Sequence, residues 1–171
     1  MTSTSNLSAA KLNKPVLKEG AVGDAVKELQ NLLLKYRAFV FLNQQGACVF
    51  PGNEVIDGVF GRKTTEAVKL FQGIMFLKQD GIVGNMTWQT LFKGVPVNMP
   101  ILKKGSQGDL VKLVQERMSL DGLYNGKIDG DFGAATETAV KALQKKANLT
   151  QDGVISDRTW ATLSKINTVF C

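Results

Sequence analysis

The sequence predicts an all-α protein built as two tandem three-helix bundles, and three observations carry that reading. The 171-residue chain aligns with itself over two long segments. Apolar residues recur at helical spacing in each copy, and Asp-Gly turns punctuate both copies at matching places. A hydrophobic fraction of 44% with 21% charged residues is an ordinary globular balance rather than that of a disordered chain.

The duplication is read directly. Residues 17–33 (LKEGAVGDAVKELQNLL) match 102–118 (LKKGSQGDLVKLVQERM) at 8 of 17 positions, an offset of 85. Residues 57–92 match 129–164 at 17 of 36 positions, an offset of 72. The offsets differ by 13, so the first copy holds 13 extra residues between Leu34 and Ile56. The partition that follows is a flexible tail over 1–14, a first repeat over 15–93 with its insertion at about 35–55, a linker over 94–100 with two prolines, and a second repeat over 101–171. About 75 residues per copy is enough to fold, with a limited margin.

Within each copy the elements follow in order. Asp24 to about Leu34 places Val26, Leu29 and Leu33 on one stripe, entered through the Gly20 and Gly23 turns. Lys63 to about Met75 groups Ala67, Phe71 and Ile74, with Val68 and Met75 beside them. Asn85 to Phe92 is a short helix that turns Trp88 and Leu91 inward. The second copy repeats this with Val111, Val114 and Met118, then Ala139, Val140 and Leu143, then Trp160 and Leu163.

Between helices, one motif occurs four times: DGVFGRKT from Asp57, DGIVGNMT from Asp80, DGDFGAAT from Asp129 and DGVISDRT from Asp152. Asp-Gly makes the turn, because Gly accepts positive φ and Asp bonds the backbone two residues on. The fifth position, Gly61, Gly84, Gly133 or Ser156, is expected to be a helix N-cap, with Ser the stronger cap. The insertion, with AFVFL (38–42) and ACVF (47–50) flanking Asn43-Gln44-Gln45-Gly46, suits a short β-hairpin with a four-residue loop. Such a hairpin needs something to pack on. Either it caps the first core or fills the junction between copies, or it presents an apolar surface for a dimer or another protein.

Composition also excludes functions. Histidine is absent, which removes His-based triads and His-ligated zinc and haem. No metal site, cofactor or catalytic group is expected. Asp129 and Asp131 could imitate a glycosidase pair, but residues two apart in a tight turn do not face each other across a substrate. The net charge of +6 divides evenly, +2 in each of 1–14, 15–96 and 97–171. A nucleic-acid footprint would concentrate charge on one face, so no nucleic-acid partner is expected. No window is apolar enough to span a membrane, and the first twenty residues lack the apolar core of a signal peptide. Localisation stays open. Of the two cysteines, a partly buried thiol at Cys48 and a loose terminal thiol at Cys171 is the simpler reading. A bridge would need the C-terminus folded back on the first half.

Taken together, LKxGxxGxxVxxLQ, IDGxFGxxTxxAVxxFQ and LxxDGxxGxxTWxxL resemble the peptidoglycan-binding domain type 1. The first copy carries the pattern through Leu17, Gly20, Gly23, Gln30, Asp57, Gly58, Phe60, Gly61, Thr64, Gln72, Asp80, Gly81, Thr87 and Trp88. The second departs at Val114, Leu143 and Ser156, all conservative in size or role. The resemblance implies a three-helix module that holds bacterial or phage-targeted cell wall without catalysis, by its glycan strand or its stem peptide. Turn amides and polar side chains can serve the amides, carboxylates and hydroxyls of that polymer.

Candidate ligand-binding residues are Tyr124, Asp129, Gly130, Thr136 and Gln144 in the second copy and Asp57, Gly58, Thr64 and Gln72 in the first. Phe60, Phe132, Trp88 and Trp160 are read as core aromatics. The second copy keeps the compact form of the family and is read as the better binder. A possible protein partner would use the insertion at 38–50, and a fold that has lost wall binding and kept only such contacts is the alternative.

Overall fold

The computed structural model describes residues 12–166. Six α-helices are present among the described residues: α1 (Asp24–Lys35), α2 (Arg62–Ile74), α3 (Asn85–Lys93), α4 (Asp109–Leu120), α5 (Ala134–Lys146) and α6 (Asp157–Leu163). Between α1 and α2 lie β1 (Phe41–Leu42), β2 (Cys48–Val49) and one 3₁₀ turn (Asn53–Val55). The fold is therefore all-α, with a small hairpin.

The helices form where turn and period agree. Gly23 (φ 112°) and Gly108 (φ 114°) precede α1 and α4 in a backbone region that L side chains rarely adopt. Gly61, Gly84, Gly133 and Ser156 stand at the N-cap positions of α2, α3, α5 and α6. The Ser156 hydroxyl makes no capping hydrogen bond, contrary to expectation, so this end is no better capped than the glycine ones. The apolar stripes bury as the period requires: Val26, Leu29 and Leu33 in α1, and Val111, Val114 and Met118 in α4.

Short backbone bridges close each repeat. Leu17 pairs with Val83 and Val22 with Val59, and in the second repeat Leu102 pairs with Ile155 and Gln107 with Asp131. The Trp88 indole donates to the Pro15 carbonyl at 2.8 Å, and the Trp160 indole donates to Pro100 at the same distance. Each buried tryptophan thus fastens the segment that leads into its own repeat.

Two cores result, one per repeat, and they are joined. Phe76, at the end of α2, belongs to the second core and packs its ring 5.0 Å from Trp160. Beside it, the Arg117 side chain of α4 is nearly buried, with 7% exposure. Its guanidinium donates to the carbonyls of Gly73 (2.9 Å) and Ile74 (3.3 Å) in the first repeat and of Leu163 (3.4 Å) in the second. It also lies 4.6 Å over the Phe76 ring. Helix C-terminal carbonyls carry partial negative charge, so the ends of α2 and α6 form the counter-charge. Burial pulls the Arg117 pKa down to about 10, and the group stays charged at neutral pH.

The hairpin pairs Phe41 with Val49 and Leu42 with Cys48. Its loop therefore runs over residues 43–47, and Asn43 Oδ1 accepts the amides of Gln45 (3.0 Å) and Ala47 (2.8 Å). Ala38 and Phe39 enter the first core, so the insertion packs on its own repeat, while Leu42, Val49 and Phe50 are exposed. Cys48 is disulfide-bonded and is not the free thiol expected; Cys171 lies outside the described residues. Most of the tail expected over 1–14 also lies outside them. Of its last residues, Leu12 packs against the first core and Lys14 pairs with Glu28.

Candidate functional site

The candidate residues gather into one arrangement that recurs four times. A buried glutamine on one helix reaches over an Asp-Gly turn to a threonine in the first turn of the next helix. Gln30 Nε2 lies 2.7 Å from Asp57 Oδ1, 3.1 Å from the Val59 carbonyl and 3.2 Å from Thr64 Oγ1. Its Oε1 accepts the Gly58 amide at 2.9 Å. Gln72 repeats this with Asp80, Ile82, Thr87 and the Gly81 amide. Gln115 does so with Asp129, Asp131, Thr136 and the Gly130 amide. Gln144 completes the set with Asp152, Val154, Thr159 and the Gly153 amide.

Sequence follows from this geometry. The glutamine amide supplies both a donor and an acceptor, which the turn's carbonyl, carboxylate and amide N–H require together. The turn glycine must be glycine: Gly58 and Gly130 sit at φ 75° and 80°. At Gly130 a Cβ would also stand 3.1 Å from the Gly108 carbonyl oxygen. Each threonine hydroxyl donates back to the turn, as Thr64 does to Val59 (3.4 Å) and Thr136 to Asp131 (3.3 Å).

The aspartates also accept the amide two residues on, which holds all four carboxyls below their usual pKa range. For Asp57 the Gln30 amide contributes most, followed by the Val59 N–H. For Asp80, Asp129 and Asp152 the N–H of Ile82, Asp131 and Val154 leads, with glutamine donation also lowering the pKa.

Placement separates the nine candidates. Asp57 and Asp129 are exposed at the turn rims, while Thr64, Gln72, Thr136 and Gln144 are buried with their polar atoms engaged. Tyr124 is 4% exposed; its hydroxyl donates to the Lys127 carbonyl at 2.7 Å and accepts from Gln115 Nε2 at 3.2 Å. Its ring fills the space inside the compact turn of the second repeat.

In the first repeat the insertion takes that place. Two cavities of about 550 Å³ each lie there. One is walled by Phe41, Val49 and Pro51 of the hairpin and by Asp57, Arg62 and Thr64. The other runs along α2 past Lys63, Glu66 and Leu70. Phe39, Phe41, Arg62 and Lys63 border both. From sequence, Asp57 and Thr64 are candidates, and Arg62 and Lys63 could meet carboxylates at a helix start but are weakened as a shared device, because Ala134 and Ala135 replace them in the second copy.

Among the described residues no group of three His, Cys, Asp or Glu side chains is placed to hold a metal ion. No helix among them is long and apolar enough to cross a membrane.

Fold and turns define a tandem helical module with two copies of one signature. The model of the family described as "Putative peptidoglycan binding domain" matches residues 22–91 and 107–163, and the chain belongs to that family. It is similar to N-acetylmuramoyl-L-alanine amidase CwlM of Mycobacterium tuberculosis, 28% identical over 146 residues, covering 82% of this chain and 36% of the relative. It is also similar to N-acetylmuramoyl-L-alanine amidase CwlL of Bacillus licheniformis, 29% identical over 189 residues, covering 96% of this chain and 49% of the relative. The chain thus spans between about a third and a half of the length of these two relatives. Among solved structures, the SleB N-terminal domain matches with 35% identity and a TM-score of 0.38, over 39% of this chain and 90% of that one.

Proposed function

We propose that this chain holds bacterial cell-wall peptidoglycan by binding alone, through two modules joined at the 94–100 linker, and does not cut it. The observation that carries the reading is the pair of complete family signatures, each folded around its own core. Support for binding without catalysis comes from the chain's own groups. The turn aspartates are committed to backbone and glutamine bonds and are held ionised, which leaves them poorly suited to donate a proton at neutral pH. Of the nine candidates, the proposal keeps Asp57, Thr64 and Asp129 at or beside the ligand surface. It assigns Gly58, Gln72, Gly130, Thr136, Gln144 and Tyr124 to holding the turns that shape that surface.

Co-sedimentation with purified insoluble peptidoglycan, at low and high salt with turbidity followed in the same tube, tests this. Saturable pelleting that survives high salt, with no clearing, is the expected result. Pelleting lost at high salt would reduce the interaction to charge attraction. Clearing would make the chain an enzyme. A second reading, a protein partner at the insertion, draws on the exposed Leu42, Val49 and Phe50 of the hairpin. Absence of pelleting at both salts would favour it.

A further inference from the structure

We infer that the first repeat carries a ligand groove that the compact second one lacks, and that this groove takes a carboxylate-bearing wall stem peptide between the inserted hairpin and α2. This rests on the wall-binding reading above and names the part of the polymer recognised. The two cavities adjoin along Phe41 and Lys63, whose ammonium lies 5.2 Å over the Phe41 ring. An extended chain fits such a groove better than a compact sugar ring does. Its floor is apolar, from the buried Phe39, Val55 and Ala67.

Charge decides the ligand. Three carboxylates border the groove, and each has an internal partner. Glu54 accepts the Gly52 amide at 3.0 Å, Asp57 is held by Gln30 and the Val59 amide, and Glu66 pairs with Lys69 at 3.5 Å. Two cations border both cavities; neither Arg62 nor Lys63 forms an ion pair within 4.0 Å among the described residues, although the Lys63 charge acts weakly on Asp57. A planar guanidinium and an ammonium, exposed beside an apolar floor, match a carboxylate attached to small apolar residues. The second repeat offers neither element: Ala134 and Ala135 replace the cations, and Tyr124 fills the turn.

The test titrates the full chain with the synthetic peptide L-Ala–D-Glu–L-Lys–D-Ala and with the same peptide carrying amides in place of its carboxyls, read by calorimetry. The free-acid peptide is expected to bind, and the amidated one to bind about tenfold more weakly or worse. A double variant, Arg62→Ala with Lys63→Ala, is expected to lose about the same factor. The charge-matched control Lys78→Ala with Lys145→Ala, at two exposed positions, stays within about twofold, the size expected of screened surface charge.

Equal binding of the acid and amide peptides overturns the inference, as does a double variant that binds like the parent. The same variants are then sedimented with whole peptidoglycan. Normal pelleting of the double variant, with no effect on peptide binding, sinks the groove and leaves wall binding standing. Failure of the parent chain to pellet sinks the wall-binding reading and this inference with it.

Discussion

The Phe76 ring meets the Trp160 ring edge-on, at 5.0 Å and 66°, although the two residues belong to different repeats. Phe76 ends α2 at φ 58°, as Asn148 ends α5 at φ 54° and Arg37 ends α1 at φ 53°, a left-handed turn a bulky side chain rarely takes, and its ring is buried in the second core. Arg117 completes the junction from the other side. Two modules that could have been beads on a string are therefore locked through a shared aromatic and a buried cation.

Arg117→Ala is expected to lower stability by about 2–3 kcal/mol, since three carbonyls at two helix ends lose a charged donor in a largely buried place. Arg117→Met should recover much of that loss, because it keeps the packing over Phe76 and removes the desolvation that depresses the guanidinium pKa. Urea unfolding of both variants is the check. Equal losses for Ala and Met would mean that the hydrogen bonds alone matter.

Gln144→Ala should cost about 2 kcal/mol, because the buried Gly153 amide loses its acceptor and the Val154 carbonyl and Asp152 carboxylate lose a donor. The expected signature is a lower urea midpoint. Peptidoglycan pelleting per folded molecule should stay unchanged, whereas a direct ligand contact would show reduced pelleting at undiminished stability.

Acid should destabilise the protein with a definite sign. Asp57, Asp80, Asp129 and Asp152 all have lowered pKa values in the fold, so the unfolded chain takes up protons first as pH falls. Their contribution is complete above the ordinary carboxyl range near ~4 and is lost as pH drops through the folded values. Asp57→Asn keeps an acceptor for Gln30 and the Val59 amide but cannot titrate. Thermal melts from about pH 6 downward should therefore show a shallower acid limb for this variant. An unaltered limb would remove Asp57 from the account.

Gly130→Ala and Gly46→Ala form a matched pair. Both glycines have positive φ, at 80° and 76°, but a Cβ at Gly46 meets nothing within 4 Å, whereas at Gly130 it approaches Lys112 and the Gly108 carbonyl. Backbone strain of about 1 kcal/mol is expected at both, with at least as much again at Gly130 from the contact. Identical unfolding midpoints for the two variants would show that the close approach relaxes at no cost.

The helices, their stripes and the turns were legible because four DG motifs and two helical periods agree at every level. The glutamines were ambiguous for a physical reason. One side chain serves four partners, up to 34 residues distant, and spacing alone does not reveal a shared target. Tyr124 is buried rather than presented at the surface, and its sequence did not separate the two cases, because an aromatic beside glycines reads equally well as a platform or a plug. Phe76 and Arg117 were visible only as mismatches between the copies, where Asn148 and Leu32 stand in the other repeat. A residue that changes class between otherwise faithful copies marks a surface that one copy buries and the other leaves open.

The sequence distance from glutamine to aspartate is 27, 8, 14 and 8 residues across the four turns, yet the bonds at each are nearly the same. The fastening is thus indifferent to what is threaded between its ends. Whatever occupies that stretch can be exchanged as a cassette, lengthened or replaced, while the helices on either side keep their seats. In the first repeat the cassette is the hairpin, and it is there that a scaffold of this kind can be given a new specificity without being rebuilt.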